Sequence, residues 1–180
     1  MSYYETIYEY AADNYGLITS AEAKALNISN VELVKLSHRG RLLRLGHGVY
    51  RIKHYIPTSY DKYAEAVAIA GDNAFLFRES VLAMHDLAFV NPTSIFVATT
   101  KKIRKTLPNH IRIEYVGSDE YSDVTKYEGI LSQSVISALL ACKGKIMTER
   151  LVSAINKASK NGLITQAEAK YAKEEINNER

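Results

Sequence analysis

The sequence predicts an α+β protein in two parts: three helices closed by a hairpin, then a mixed α/β domain with a small sheet flanked by helices. The first observation is a succession of helix start and stop signals over about fifty residues, ending in two short strand-like runs around Gly46-His47-Gly48. The second is charge. Residues 29–54 carry six Lys/Arg (35, 39, 41, 44, 51 and 53) against Glu32, whereas residues 1–28 carry four acids (5, 9, 13 and 22) against Lys24. The third is the alternation of short apolar runs with helical periodicity beyond Pro57.

Tyr4, Ile7, Tyr8 and Ala11 fall at helical spacing and predict a first helix over Tyr3–Tyr15, stopped by Gly16. Thr19-Ser-Ala-Glu22 reads as a capping box for a second helix over Ser20–Leu26. Asn27-Ile28-Ser29 is a short turn, and Ser29 is a good N-cap for a third helix reaching Arg39 and stopped by Gly40. Strands are expected over Arg41–Leu45 and Val49–Ile52, with the two glycines of the tip tolerating positive φ. Helix, helix, helix and hairpin in this order make a winged helix-turn-helix, with a core of Leu26, Ile28, Leu33, Leu36, Leu43, Val49 and Tyr50. His54–Ser59 reads as a linker, which divides the chain into domains 1–56 and 60–180.

In the second domain, helices are expected over Tyr60–Ala70, Arg78–Leu87, Ser134–Ala141, Thr148–Lys160 and Gln166–Asn177. Strands are expected over Ala74–Phe77, Ser94–Ala98, Ile111–Val116 and Gly129–Leu131. One stretch repeats: GLITSAEAK at 16–24 returns as GLITQAEAK at 162–170. The second copy has too little chain after it for a recognition helix and wing, so both read as one device, a Leu-Ile pair ahead of a capped helix.

Composition excludes several classes. The single cysteine, Cys142, forbids an internal disulfide and a cysteine-built zinc site, and suits a cytoplasmic location. No apolar run reaches the length of a membrane span, and MSYYETIYEY lacks the layout of a signal peptide. There is no phosphate-binding glycine loop, the histidines lack metal-ligand spacing, and Ser80 with His85 has no nucleophile-elbow motif. Gly117-Ser118 with Asp119, Glu120 and Asp123 is too compressed for a nucleotidyltransferase signature. No enzyme, metal or cofactor is therefore expected.

A helix in the major groove needs short polar groups near its start and long cations around it. The residues expected at DNA are Ser29, Asn30, Val34, Lys35, His38 and Arg39 on the third helix, and Arg41, Arg44, His47 and Arg51 on the hairpin. Strand alternation cannot put all the hairpin cations on one face, so Arg44 and His47, nearest the tip, are favoured. A second basic surface is expected at Lys101, Lys102, Arg104, Lys105 and Arg112, and a looser cationic set at Lys143, Lys145 and Arg150.

These motifs carry a resemblance. Gly16-Leu-Ile-Thr19, Leu26-x-Ile28-Ser29, Arg39-Gly40-Arg41-Leu42 and Gly46-x-Gly48-Val49-Tyr50-Arg51 resemble the N-terminal winged helix of AbiEi-type antitoxins of type IV toxin–antitoxin (abortive infection, phage defence) systems. Arg78-Glu-Ser80-Val-Leu-Ala-Met-His85-Asp-Leu87, Asn91-Pro92 and Ile95–Ala98 continue the similarity, as does the strand-then-helix of Tyr127–Ala141. The resemblance implies a transcriptional autorepressor that binds inverted repeats of double-stranded DNA in its own promoter, with self-association on DNA. It also implies a C-terminal domain that counteracts a nucleotidyltransferase-like toxin without a stable complex. The residues themselves leave a second reading open: a protein-interaction module that binds and neutralises a toxin directly, with DNA binding incidental.

Overall fold

The computed structural model describes residues 1–88 and 90–178 and opens with helix α1 (Tyr3–Ala12), whose start is a reciprocal capping box between Ser2 and Glu5. Ile7 and Ala11 are its buried stripe. The helix stops at Ala12, short of the expected Tyr15. Tyr15 (φ 58°) and Gly16 (φ 70°) both take left-handed backbone, and the Gly16 amide donates back to the Ala11 carbonyl. A Cβ on Gly16 would lie 2.8 Å from the Tyr55 ring, so the turn requires glycine for space as well as for φ.

Leu17–Thr19 forms strand β1, absent from the sequence expectation, and pairs antiparallel with β3 (Val49–Ile52). Thr19 and Glu22 make the expected capping box of α2 (Ser20–Ala25). Burial, and then a hydrogen bond to the Glu22 carboxylate, push the Tyr10 phenol up to about 12. Asn27 (φ 61°) turns the chain, and the Ser29 hydroxyl accepts from the Glu32 amide to start α3 (Asn30–His38). The hairpin is β2 (Leu42–Gly46) and β3, in a sheet of order β1-β3-β2. Its loop is His47-Gly48, since Gly46 pairs with Val49; only Gly48 takes positive φ (67°). This corrects the expectation for Gly46.

The N-terminal architecture is a winged helix-turn-helix. Its core holds Ile7, Ala11, Ile18, Ala23, Ile28, Leu33, Leu36, Leu42, Tyr50 and Ile52, with Leu26 packed at the edge. Leu43, expected in this core, is 49% exposed, and Leu42 at 1% takes the inward position. Adjacent residues of a strand face opposite sides, so Leu42, paired with Ile52, fills the core and Leu43 turns outward.

Helix α4 (Asp61–Ala70) follows the linker. The chain separates into two compact units, Met1–Asp72 with Ile103–Leu107 and Asn73–Lys102 with Pro108–Arg180, so α4 is part of the first. The second unit holds a mixed sheet of order β6-β5-β4-β8-β7. Its strands are β4 (Phe75–Leu76), β5 (Ile95–Thr99), β6 (Ile111–Tyr115), β7 (Val124–Tyr127) and β8 (Ile130–Gln133). Expected helices appear as α5 (Glu79–Met84), α7 (Val135–Ala141), α8 (Thr148–Lys160) and α9 (Gln166–Asn177). Strand β7 and the short α6 (Ser118–Tyr121) were not expected. Glu128 (φ 48°) and Gly129 (φ 79°) form the tight turn that pairs β7 with β8. Ser80 is fully buried and its hydroxyl accepts from the Phe96 amide, a structural role; His85 packs against the Tyr127 ring at 4.2 Å. Thr165 and Glu168 repeat the capping box of Thr19 and Glu22.

Two stability outcomes follow from burial. Leu33→Ala, at a fully buried site, is expected to cost about 2–5 kcal/mol in urea unfolding, whereas Leu43→Ala should cost less than about 0.5 kcal/mol. Cys142 is fully buried, and burial pushes its thiol up to about 12. Folded protein should resist iodoacetamide and become alkylated only in denaturant, read by mass spectrometry.

Candidate nucleic-acid interface

On α3, Leu33 and Leu36 turn into the core. The opposite arc presents Asn30, Val31, Val34, Lys35 and His38, all exposed. Two of these are aliphatic: Val31 is 60% and Val34 41% exposed. Helical spacing puts them beside Asn30 and Lys35 on one face. Ser29 is exposed as well, but its hydroxyl is occupied as the helix cap. Lys35 Nζ lies 2.8 Å from Glu32 Oε1, an exposed pair worth little and easily exchanged.

The hairpin cations separate into different environments. Arg44 and His47 are exposed at the wing, and Arg44 Nε donates to the nearby Gly46 carbonyl at 3.4 Å. Arg41 is exposed but lies over the Tyr4 ring, 5.0 Å from its centroid. Arg39 and Arg41 line one depression of about 440 Å³ with Ser2, Tyr4, Glu5 and Glu32, at the start of α1.

Arg51 stands apart from all of them. Its side chain is 11% exposed, Nη1 donates to Glu65 Oε2 of α4 at 3.0 Å, and the guanidinium lies 5.0 Å from the Tyr55 ring centroid. Nε and Nη2 are buried without a hydrogen-bond partner. Tyr55 in turn donates to Asp61, and burial followed by that bond raises its pKa. Arg51 thus bridges β3 and α4 through Glu65, with most of its side chain buried.

The second basic set is divided between the two units: Arg104 and Lys105 belong to the first, Lys101, Lys102 and Arg112 to the second. Four of the five are exposed. Lys105 is half-buried near Gly71, and burial lowers its pKa against the opposing pull of Asp72.

Val31 was missed as a side chain, although the sequence offered a signal: two β-branched apolar residues, at 31 and 34, on the side of α3 away from Leu33 and Leu36. Among the described residues, no group of three or more His, Cys, Asp or Glu is placed to hold a metal, and no helix is long and apolar enough to cross a membrane.

The different placements of Arg51 and Arg44 are measurable. Arg51→Ala should destabilise the protein by about 1–3 kcal/mol, by leaving Glu65 and the Tyr55 face without their partner. Arg44→Ala should change stability by less than about 0.5 kcal/mol, both by thermal or urea unfolding.

Comparison with known proteins bears on the same segment. No curated protein matches the chain. A crystal structure of the RV2827C protein from Mycobacterium tuberculosis is similar with 11% identity and a TM-score of 0.41, over 99% of this chain and 83% of that one. Residues 5–53, which comprise nearly all of α1 and run through β3, match the model of a family described as "Transcriptional regulator, AbiEi antitoxin". The N-terminal segment of the chain is therefore similar to the AbiEi antitoxin family of transcriptional regulators, the family its helices and wing resemble in sequence.

Proposed function

We propose that the protein is a DNA-binding autorepressor and antitoxin, with α3 laid in the major groove of repeats in its own promoter and the wing tip on the adjacent backbone. The observation that carries this is the exposed arc of α3: Asn30, Val31, Val34, Lys35 and His38. An amide near the helix start suits an adenine edge, and exposed valines suit thymine methyl groups. Arg44 and His47 supply phosphate or minor-groove contacts from the wing, and the amides of Asn30 and Val31 at the helix start suit a phosphate. Arg51 is left out of this surface because Glu65 and Tyr55 already hold it.

The antitoxin half of the proposal rests on the description of the matched family, together with a second unit large enough for a separate task. It would act in the cytoplasm against a nucleotidyltransferase-like toxin, without a stable complex, with self-association on the repeats.

A gel shift on the promoter fragment tests the DNA half. Affinity should fall steeply with salt, and Lys35→Ala with Arg44→Ala should weaken binding at least about tenfold while lowering the salt slope. Unchanged affinity in that double variant would remove α3 and the wing tip as the contact surface. Val34→Ser should lower discrimination between operator and unrelated DNA about fivefold or more, with little effect on non-specific binding.

A further inference from the structure

The second unit contains a cleft of about 510 Å³, a size that suits a small ligand. Its cationic lining is Arg78, Arg112, Lys145 and Arg150; its acids are Glu79 and Glu114. Phe96, Ile146, Val90 and Pro92 contribute apolar lining, Phe96 lying opposite Arg112 in the β5–β6 register and so on the same face of the sheet.

The two acids are already engaged. Arg78 Nη1 pairs with Glu114 at 3.0 Å, and its Nε lies 3.2 Å from Glu79, attracted but out of line for a hydrogen bond. The Arg78 side chain is 13% exposed and lies 4.9 Å from the Phe96 ring centroid and 5.4 Å from that of Phe77. Its backbone takes φ 45°, a left-handed conformation that a bulky side chain adopts only when its surroundings hold it there. Here the Gln133 side chain, accepting from the Arg78 amide, is part of that hold.

The other three cations have no such partners. Arg112, Lys145 and Arg150 are exposed, and among the described residues none of them makes an ion pair within 4.0 Å. They come from separate parts of the chain: β6, the α7–α8 connection and the first turn of α8. Arg150 sits where the helix dipole disfavours a cation, which makes an anion in the cleft more welcome. Lys143, by contrast, is used up: its ammonium donates to the Glu175 and Asn178 carbonyls at the end of α9.

We propose that this cleft binds a phosphorylated small molecule. Arg112, Lys145 and Arg150 meet the phosphoryl oxygens, and Phe96 with Ile146 covers the less polar body. Arg78 does not coordinate first; paired with two carboxylates, it shapes the floor and prevents the acids from repelling the anion. Guanidinium forks and an ammonium suit a phosphoryl group better than a lone carboxylate, because each can contact a separate oxygen. The site is independent of α3 and the wing, so it stands or falls apart from operator binding.

The test is calorimetric titration of the full chain with inorganic pyrophosphate and with adenosine 5′-monophosphate, beside adenosine as the uncharged control. Saturable binding of one anion per chain is expected, with adenosine at least tenfold weaker than its monophosphate. Arg112→Ala with Arg150→Ala should weaken anion binding at least tenfold. Lys126→Ala with Lys160→Ala, an equal charge loss outside the cleft, should change it less than twofold. A monophosphate tighter than pyrophosphate by tenfold assigns the ligand a ring body; equal or reversed affinities assign the site to the phosphoryl group alone. Absence of saturable binding by either anion, or equal losses in the two double variants, overturns the proposal. So does binding of a short DNA duplex, lost in the Arg112/Arg150 variant, when neither small anion binds; that outcome gives the cations to a nucleic-acid backbone.

Discussion

Leu17–Thr19 lies antiparallel against Val49–Ile52, and this short pairing gives the helices a fixed relation to the wing. The hydrogen bonds extend past both ends of β1. The Ile52 amide donates to the Gly16 carbonyl, and the Ser20 amide donates to the Gly48 carbonyl at the hairpin tip. One strand therefore holds the base and the tip of β3 at once, while Ile18 packs into the helical core. The pairing depends on a sharp reversal at Tyr15-Gly16, and the Tyr55 ring leaves room there only for hydrogen. A side chain at Gly16 would displace the ring against which Arg51 packs, so the effect would pass from the turn to the wing's outer face.

Two arginines with similar surroundings show how the fold sorts its cations. Arg51 and Arg78 each lie over aromatic rings, each pair with glutamate, and each carry at least one buried nitrogen without a hydrogen bond. Such groups are expensive to expose singly, because the charge left behind has no water to meet it. They act as rigid joints. Arg44 and Arg150, chemically identical, are exposed and available to something else. Residue type alone does not separate these roles; the position of Glu65 and Glu114 does.

Local chemistry was legible in the sequence, and long-range pairing was not. Ser29, Thr19–Glu22 and Thr165–Glu168 mark helix starts because capping is completed within four residues. The repeated GLIT shows the limit. The first copy is a strand and the second is not, although Thr leads into a capped helix in both. A strand needs a partner, and the sequence of the strand does not contain it. Leu42 and Leu43 were exchanged for the same reason: two adjacent leucines offer no alternation, and only the pairing with Ile52 and Arg51 decides which turns inward. Within the candidate interface, the exposed α3 arc follows from helical period, whereas the pairing of Arg51 does not, because its partner lies fourteen residues away on another helix. In the second unit, Lys145 and Arg150 were visible as charges, but their convergence with Arg112 on one cleft depends on tertiary structure.

The brace between Arg51 and Glu65 also defines what can be moved as a piece. A fragment ending at the Pro57 linker keeps every helix and strand of the winged helix but loses the carboxylate that accompanies a nearly sealed guanidinium. The compact unit that holds this pair runs through α4 to Asp72 and takes in Ile103–Leu107 as well. Recombination that joined this winged helix to a different second unit would conserve stability by keeping α4 with the wing, so the seam between old and new sequence belongs after that helix rather than at the proline before it.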